Sequence, residues 1–283
     1  MVFTLPDKEH LMVIVESFGL TDIGRKRAHN EDTIYIDDKL GLYIVADGMG
    51  GHRAGEVASD LVVRSILDWM RTEAQFSVAQ AQGSSSSNPP SPESKKLLLA
   101  IREANKRIHR LSQKDETCQG MGTTVSVVYL SESTFIVANV GDSPIYMIRD
   151  GSIELVSVMH NVESENLELH PDWAEQVGIQ LGHLLTRAIG IYESVDADLS
   201  ERTCRKGDIF VLCSDGLSDR VEPQEVLEIS SRHSARDTCR FLVNLANERG
   251  GNDNISIIVL KVKKVKTRKE RIFGFFPRMM GLL

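Results

Sequence analysis

Residues 42–48, LYIVADG, run five hydrophobic side chains into an aspartate and a glycine. A continuous apolar run of this length, closed by a turn residue, predicts a buried strand over Leu42–Ala46. Comparable runs follow at Thr124–Tyr129, Thr134–Val140, Ile145–Ile148, Ile153–Ser157, Ile209–Cys213 and Ile255–Val262. Asp150-Gly151 between two of them signals a two-residue hairpin. Helical spacing appears in Ala54–Ala74 (Val57, Leu61, Ile66, Trp69) and in Glu93–Lys114 (Leu97, Ile101, Ile108, Leu111). Between these helices, residues 82–94 (QGSSSSNPPSPES) hold no large apolar side chain and predict a flexible loop. Two further helices are predicted over Pro223–Ser231 and Ala235–Arg249, the first with proline near its start, where a missing N–H costs nothing. A helix pair, a block of hairpin-linked strands and a second helix pair predict an α+β fold with antiparallel sheets covered by helices.

A chain of 283 residues with 41% hydrophobic content can bury one substantial core, so a single domain with appendages is expected. Its net charge of −7 is unevenly spread. Lys261–Leu283 carries eight Lys or Arg and one Glu, a net +7, which leaves residues 1–260 at −14. So acidic a body argues against a nucleic-acid groove. Cys118, Cys204, Cys213 and Cys239 form no CxxC pair, the usage of a reducing compartment. No apolar run approaches the roughly 20 residues that span a bilayer, and Leu11–Val15 is too short for a signal sequence, so a cytoplasmic protein is expected.

Four times an apolar segment or tight turn delivers an aspartate: IVAD47-G48, ANVGD142-S143, VLCSD215-G216 and GGND253-N254. The turn-rich run RKRAHNED adds Glu31 and Asp32. A lone Asp-Gly after a strand is usually just a turn. Several ionised carboxylates at buried strand ends are costly and mutually repulsive, and divalent cations relieve both problems. Oxygen-only donors without a His or Cys cluster favour hard ions such as Mg²⁺ or Mn²⁺.

In order along the chain, GLTDIGRKRAHNED, LYIVADGMGGHRAGEVAS, MGTTVSVV, VANVGDS, LLTRAIG, GDIFVLCSDGLSD and GNDNISIIV resemble the metal-dependent protein phosphatases of the 2C type, in their bacterial branch. The resemblance spans about residues 19–262. It implies a four-layer α/β/β/α sandwich, two antiparallel sheets flanked by helix pairs. Residues 16–263 would form the catalytic domain, with 1–15 as an N-terminal extension, about 159–185 as a flap beside the site and 264–283 as a basic-hydrophobic tail. It further implies that Asp47 bridges two metal ions, that Asp32 and the Gly48 carbonyl complete the protein ligands of one, and that Asp215 and Asp253 hold the other. Asp142 would serve a third, weaker ion, and Glu31 would replace or assist Asp32.

The chemistry implied is direct attack of metal-activated water on a phosphomonoester, with no covalent enzyme intermediate. Arg27, in the spacing RxxNED, resembles the guanidinium that receives the phosphate oxygens. His52 in DGMGGH is the candidate proton donor to the leaving alkoxide; hydrogen bonding to metal-bound water, or capping the helix that follows, are its alternatives. GMGG is no phosphate-cradling P-loop, since no GK[ST] follows.

The chain departs from that pattern at Pro144, where relatives commonly carry arginine, and at Met159, where they carry aspartate before His160. Residues 161–184 of the flap are acidic and contain His170, Trp173 and His183, a composition suited to choosing substrates. The tail couples basic charge to Phe273, Phe275, Phe276, Met279, Met280, Leu282 and Leu283. Docking on the inner face of an anionic membrane, docking on a partner, and packing back onto the domain are its three readings.

The function expected is that of a monomeric Mn²⁺- or Mg²⁺-dependent phosphatase acting on Ser/Thr-phosphorylated proteins and opposing a serine/threonine kinase. The alternatives are a catalytically silent phosphoprotein-binding regulator with the same fold, and another two-metal hydrolase such as a nuclease. Retention of every expected ligand argues against the first, and the acidic body against the second.

Overall fold

A computed structural model of the chain describes residues 13–50, 54–72, 90–165 and 184–265. His52, residues 82–89 of the predicted loop, 166–183 of the flap and 266–283 of the tail lie outside the described residues. The elements in order are β1 (Val13–Asp22), β2 (Asp32–Asp37), β3 (Leu42–Met49), α1 (Ala54–Arg71), α2 (Pro92–Lys114), β4 (Gly122–Thr123), β5 (Val125–Ser131) and β6 (Thr134–Val140). They continue with β7 (Ile145–Arg149), β8 (Ser152–Leu155), β9 (Asp198–Thr203), β10 (Ile209–Cys213), α3 (Asp215–Ser218), α4 (Pro223–Arg232), α5 (Ala235–Glu248) and β11 (Ile255–Val265).

One sheet has the order β1-β11-β10-β7-β8 and the other β2-β3-β5-β6-β9, with β4 beside β3. Every named pairing is antiparallel. Strand alternation sorts the hydrophobic side chains into three buried layers. Leu42, Ile44 and Ala46 of β3 face α1 and α2, while Tyr43 and Val45 face the other sheet. Likewise Phe210 and Leu212 of β10 enter the space between sheets, and Val211 and Cys213 pack under α4 and α5. Phe135 and Phe210 meet edge to face at 4.7 Å and tie the two sheets together. Three apolar layers separate four structural ones, so the α/β/β/α sandwich implied by the resemblance is the architecture observed.

Local chemistry fixes the helix starts. The Ser91 side chain accepts from Ser94 N ahead of Pro92, Glu222 and Glu225 form a capping box around Pro223, and Ser234 accepts from Asp237 N. At the β7–β8 turn Asp150 and Gly151 both have positive φ, as the predicted two-residue hairpin requires. The four cysteines are free and buried. Among the described residues no helix is long and apolar enough to cross a membrane.

Three expectations need correction. Residues 13–15, assigned to an N-terminal extension, begin β1, and Val13 pairs with Val265 of β11 past the expected domain end at 263. Neither β1, β2 nor β9 was anticipated as a strand. On α1 the buried stripe runs through Ala58, Val62 and Ile66, whereas Val57 is exposed and Leu61 and Trp69 are only partly buried. Large side chains alone suggested the wrong face; the small residues Ala54, Gly55, Ala58 and Ser59 bring the start of α1 close to β3.

Candidate metal centre and active site

The site forms where the core between the sheets runs out. Asp47 follows Tyr43 and Val45 on the inward face of β3, and Asp32 precedes Ile34 and Ile36 on the same face of β2. Antiparallel register sets Asp32 directly opposite Asp47. From the second sheet, Ser214 continues the row of Phe210 and Leu212, and Asn254 and Ser256 continue that of Ile258 and Leu260. The same periodicity that buries apolar side chains lower down therefore gathers polar ones at this end.

Asp47 is held by its backbone: its N–H donates to Thr124 Oγ1 at 3.0 Å, and its carbonyl accepts from Thr124 N and Thr123 Oγ1, both at 2.8 Å. Gly48 must be glycine, because a Cβ there would lie 2.1 Å from Gly55 O and 2.6 Å from Glu31 O. On the opposite sheet, Ser214 Oγ donates to Asp32 Oδ2 at 2.9 Å and accepts from Ser256 N at 3.0 Å. Ser214 also stands immediately before α3, whose first residue is Asp215, and its carbonyl accepts from Leu217 N. Gly216 is as constrained as Gly48, with Asn254 O only 2.0 Å from where its Cβ would be.

Asn254 joins the two halves. Its Oδ1 accepts from Glu31 N at 2.8 Å, and its Nδ2 donates to Ile23 O and His29 O at 3.0 and 2.9 Å. One amide thus clamps both ends of the loop that carries Arg27. Arg27 Nη2 in turn donates to Asp253 Oδ2 at 2.6 Å. The guanidinium stays about half exposed at the mouth of the site.

Crowded acids in a desolvated place resist ionisation. Burial, opposed by the nearby Ser256 hydroxyl and the Ser214 hydrogen bond and reinforced by Asp215 and Asp253, pushes the Asp32 carboxyl up to about 7. Burial and then Asp32, Asp215 and Asp253 hold Asp47 well above its ordinary range. Asp142, 7% exposed, is pushed up to about 7 by burial and by Asp215. Asp215 is the neighbour common to all three.

Among the described residues no three His, Cys, Asp or Glu side chains are drawn together as a metal cage. The charges are met in part within the protein, by Arg27 on Asp253 and by Ser214 on Asp32. Asp32 Oδ1, however, is buried without a hydrogen-bond partner. A buried carboxylate oxygen of that kind, within an all-oxygen donor set, fits a hard divalent cation.

Residues 24–255 match the family described as Protein phosphatase 2C. The chain belongs to the protein phosphatase 2C family. It is 35% identical over 246 residues to a putative protein phosphatase 2C-type of Streptococcus pyogenes, covering 85% of this chain and 94% of that one. It resembles the solved serine/threonine phosphatase of S. agalactiae at 33% identity and TM-score 0.74, covering 88% of this chain and all of that one. A structure of the catalytic domain of the serine/threonine protein phosphatase PstP, in complex with two manganese ions, is similar at 29% identity and TM-score 0.73, over 89% of this chain and 100% of that one. The serine/threonine protein phosphatase class inferred from the ordered motifs therefore stands.

In this phosphatase, Asp32, Asp215 and Asp253 lie near enough to Asp47 to raise its pKa at the end of the sandwich, and Arg27 reaches Asp253. The Glu31 carboxylate turns toward Gly55 of α1, and its pKa is raised, first by burial. The peptides around Asp142 are fixed through Asn139 and His160. Pro144, one of the departures, lends its carbonyl to Cys213 N at 3.1 Å. Thr124, Ser214 and Asn254 escaped the sequence reading because single polar residues at strand ends carry no periodic signal. For Ser214 and Asn254, adjacency to Asp215 and Asp253 was the one available clue.

Proposed function

We propose that this phosphatase hydrolyses phosphoserine and phosphothreonine monoesters in proteins, using Mn²⁺ or Mg²⁺. The observation that carries this reading is the buried, unpartnered Oδ1 of Asp32, facing Asp47 across the β2–β3 ladder beside the acids of the other sheet. Asp47, Asp32 and the Gly48 carbonyl would hold one ion, Asp47, Asp215 and Asp253 a second, and Asp142 with Asp215 a weaker third, with Glu31 in support of Asp32. When bound, two hard divalent cations lower the pKa of water so that it can act as a nucleophile near neutral pH, with no covalent enzyme intermediate.

The residues of the chain do the rest. Arg27, aimed by Asp253, offers a planar cation at the mouth of the site to the phosphate oxygens. Asn254 keeps that arm in place by holding the loop at Ile23, His29 and Glu31. His52 is the candidate donor of the proton that the serine or threonine alkoxide needs on leaving. The physiological setting that fits is a cytoplasmic monomer opposing a serine/threonine kinase, with its basic, aromatic tail as a docking element for a membrane or a partner.

Hydrolysis of a phosphothreonine peptide with Mn²⁺ tests the reading. Activity is expected to vanish in EDTA, and Asp47→Asn is expected to cost more than the roughly 10–100-fold typical of outer contacts to a metal site. Calorimetry should show weakened Mn²⁺ binding in the same variant. Activity that survives both chelation and the substitution would overturn the reading.

A further inference from the structure

His160 is fully buried, yet it has no part in the proposed reaction. Its Nδ1 accepts from Gly141 N at 3.1 Å, and its own backbone N–H donates to Gly141 O at 2.9 Å. With Nδ1 an acceptor, the ring proton sits on Nε2, 2.7 Å from Asp198 Oδ2. Arg187 completes the assembly, donating from Nη1 to Asp198 Oδ2 at 2.8 Å and pairing through Nη2 with Glu165 at 3.2 Å.

The contacted glycine matters because it immediately precedes Asp142. Asn139 Nδ2 also donates to Gly141 O, at 2.9 Å, so three protein groups fix the two peptides leading into that acid. Gly141 has a φ of 111°, and a Cβ on it would lie 2.6 Å from the Thr124 side chain, so the turn is additionally wedged against the residue that braces Asp47. The other side of His160 faces the base of the flap: Thr186 N donates to His160 O at 3.0 Å, and Asn161 bridges Leu185.

We infer that His160 is a positioning residue for Asp142, a neutral imidazole that orients the Gly141–Asp142 turn and is itself oriented by the Asp198–Arg187 pair. The inference rests on the proposed part of Asp142 in metal binding. An imidazole held at both nitrogens has one tautomer and one ring orientation, which is how outer residues tune the groups that ligate metals.

Two substitutions separate its two bonds. The side-chain oxygen of His160→Asn can take the place of Nδ1 and keep the acceptor for Gly141 N, but the side chain does not reach Asp198. His160→Gln reaches Asp198 and gives up the acceptor. Mn²⁺ binding to the full chain is followed by calorimetry, with thermal melting to establish that each variant is folded. His160→Gln is expected to weaken the binding step that Asp142→Ala removes, by about 10–100-fold, while His160→Asn stays close to the parent. Adding His160→Gln to Asp142→Ala should cost nothing more in Mn²⁺ affinity, as for residues acting through one another. Arg187→Met, which leaves both bonds to Gly141 in place, should show a smaller loss than His160→Gln. Equal losses in both His160 variants, or a His160→Gln loss that adds to that of Asp142→Ala, would overturn the inference. If Asp142→Ala weakens binding and His160→Gln does not, the inference alone fails. If Asp142→Ala changes nothing, the assignment of Asp142 fails and takes the inference with it.

Discussion

Asp47-Gly48 and Asp215-Gly216 are the same dipeptide at the end of the same kind of apolar strand, and in both the glycine is pressed against a backbone carbonyl, Gly55 O in one and Asn254 O in the other. Their acids are nevertheless aimed by different means. Asp47 still lies within β3, opposite Asp32, and shares backbone hydrogen bonds with Thr124. Asp215 has left β10 and opens α3, where its direction depends on Ser214, whose N–H bonds Ser256 O and whose carbonyl accepts from Leu217 N. An acid carried by a ladder inherits the rigidity of the sheet. An acid carried by one helical turn depends on a few bonds centred on a single serine.

What the two halves share is charge, and pH exposes it most strongly. Without metal, Asp32 keeps its proton up to about 7 when folded but releases it near 3.8 when unfolded. Asp142 is likewise raised to about 7. The folded state therefore binds more protons between these limits, and stability must fall as pH rises from about 4 to 7. Each such carboxyl contributes a slope of about 1.4 kcal/mol per pH unit. Denaturant unfolding in EDTA should show this decline, and Mn²⁺ should flatten it by taking the place of the protons. A metal-free profile that is level or rising would mean that the acids do not share one electrostatic site.

The two glycines should respond unequally. Gly48→Ala is expected to cost about 3 kcal/mol, at the upper end for an overpacked site, because the obstacle is backbone. Gly216→Ala meets an equally close carbonyl, but alanine is the better helix former by about 1 kcal/mol, which offsets part of the clash in α3. Chemical denaturation of both variants in EDTA gives the order; a greater loss at Gly216 would show that the helical turn is the stiffer of the two supports.

How far such details could be read from sequence depended on burial. Strands covered on both faces, such as β3, β10 and β11, announce themselves as apolar runs. Apart from the two-residue β4, the strands that escaped, β1, β2 and β9, are edge strands, and β9 (DLSERT) has no fully buried residue. An edge strand needs hydrogen bonds on one side and little apolar surface, so its pattern is that of a loop. The other edge strand, β8, was legible because its hairpin turn carries its own chemistry in Asp150-Gly151. Asp47, Asp142 and Asp215 were legible for a similar reason, since each closes an apolar run, whereas Asp32 and Asp253 stand in polar turns and were legible only through the ordered motifs. Ser214, Thr124 and Asn254 become visible only when strands distant in sequence are laid side by side.

Ser214 and Thr124 allow the finest distinction between the two supports. Ser214→Ala removes the donor to Asp32 Oδ2 and the acceptor of Ser256 N, leaving buried polar groups without their partner. Thr124→Val removes the acceptor of Asp47 N at nearly constant shape. Each is expected to cost stability of about 1–3 kcal/mol, the penalty for a buried polar group that loses its bond. Their effects on metal should differ. After Thr124→Val, Asp47 still has Asp32 opposite it in the ladder, and its carbonyl still accepts from the residue 124 amide, so its direction survives. Ser214→Ala disturbs Asp32 directly and cuts the side-chain tie from Ser256 N to the residue that precedes Asp215, one change reaching acids of both sheets. Titration with Mn²⁺ should therefore show weakened affinity for Ser214→Ala and near-parental affinity for Thr124→Val at similar loss of stability. Equal shifts in the two titrations would mean that the ladder holds its acid no more firmly than the helical turn holds its own.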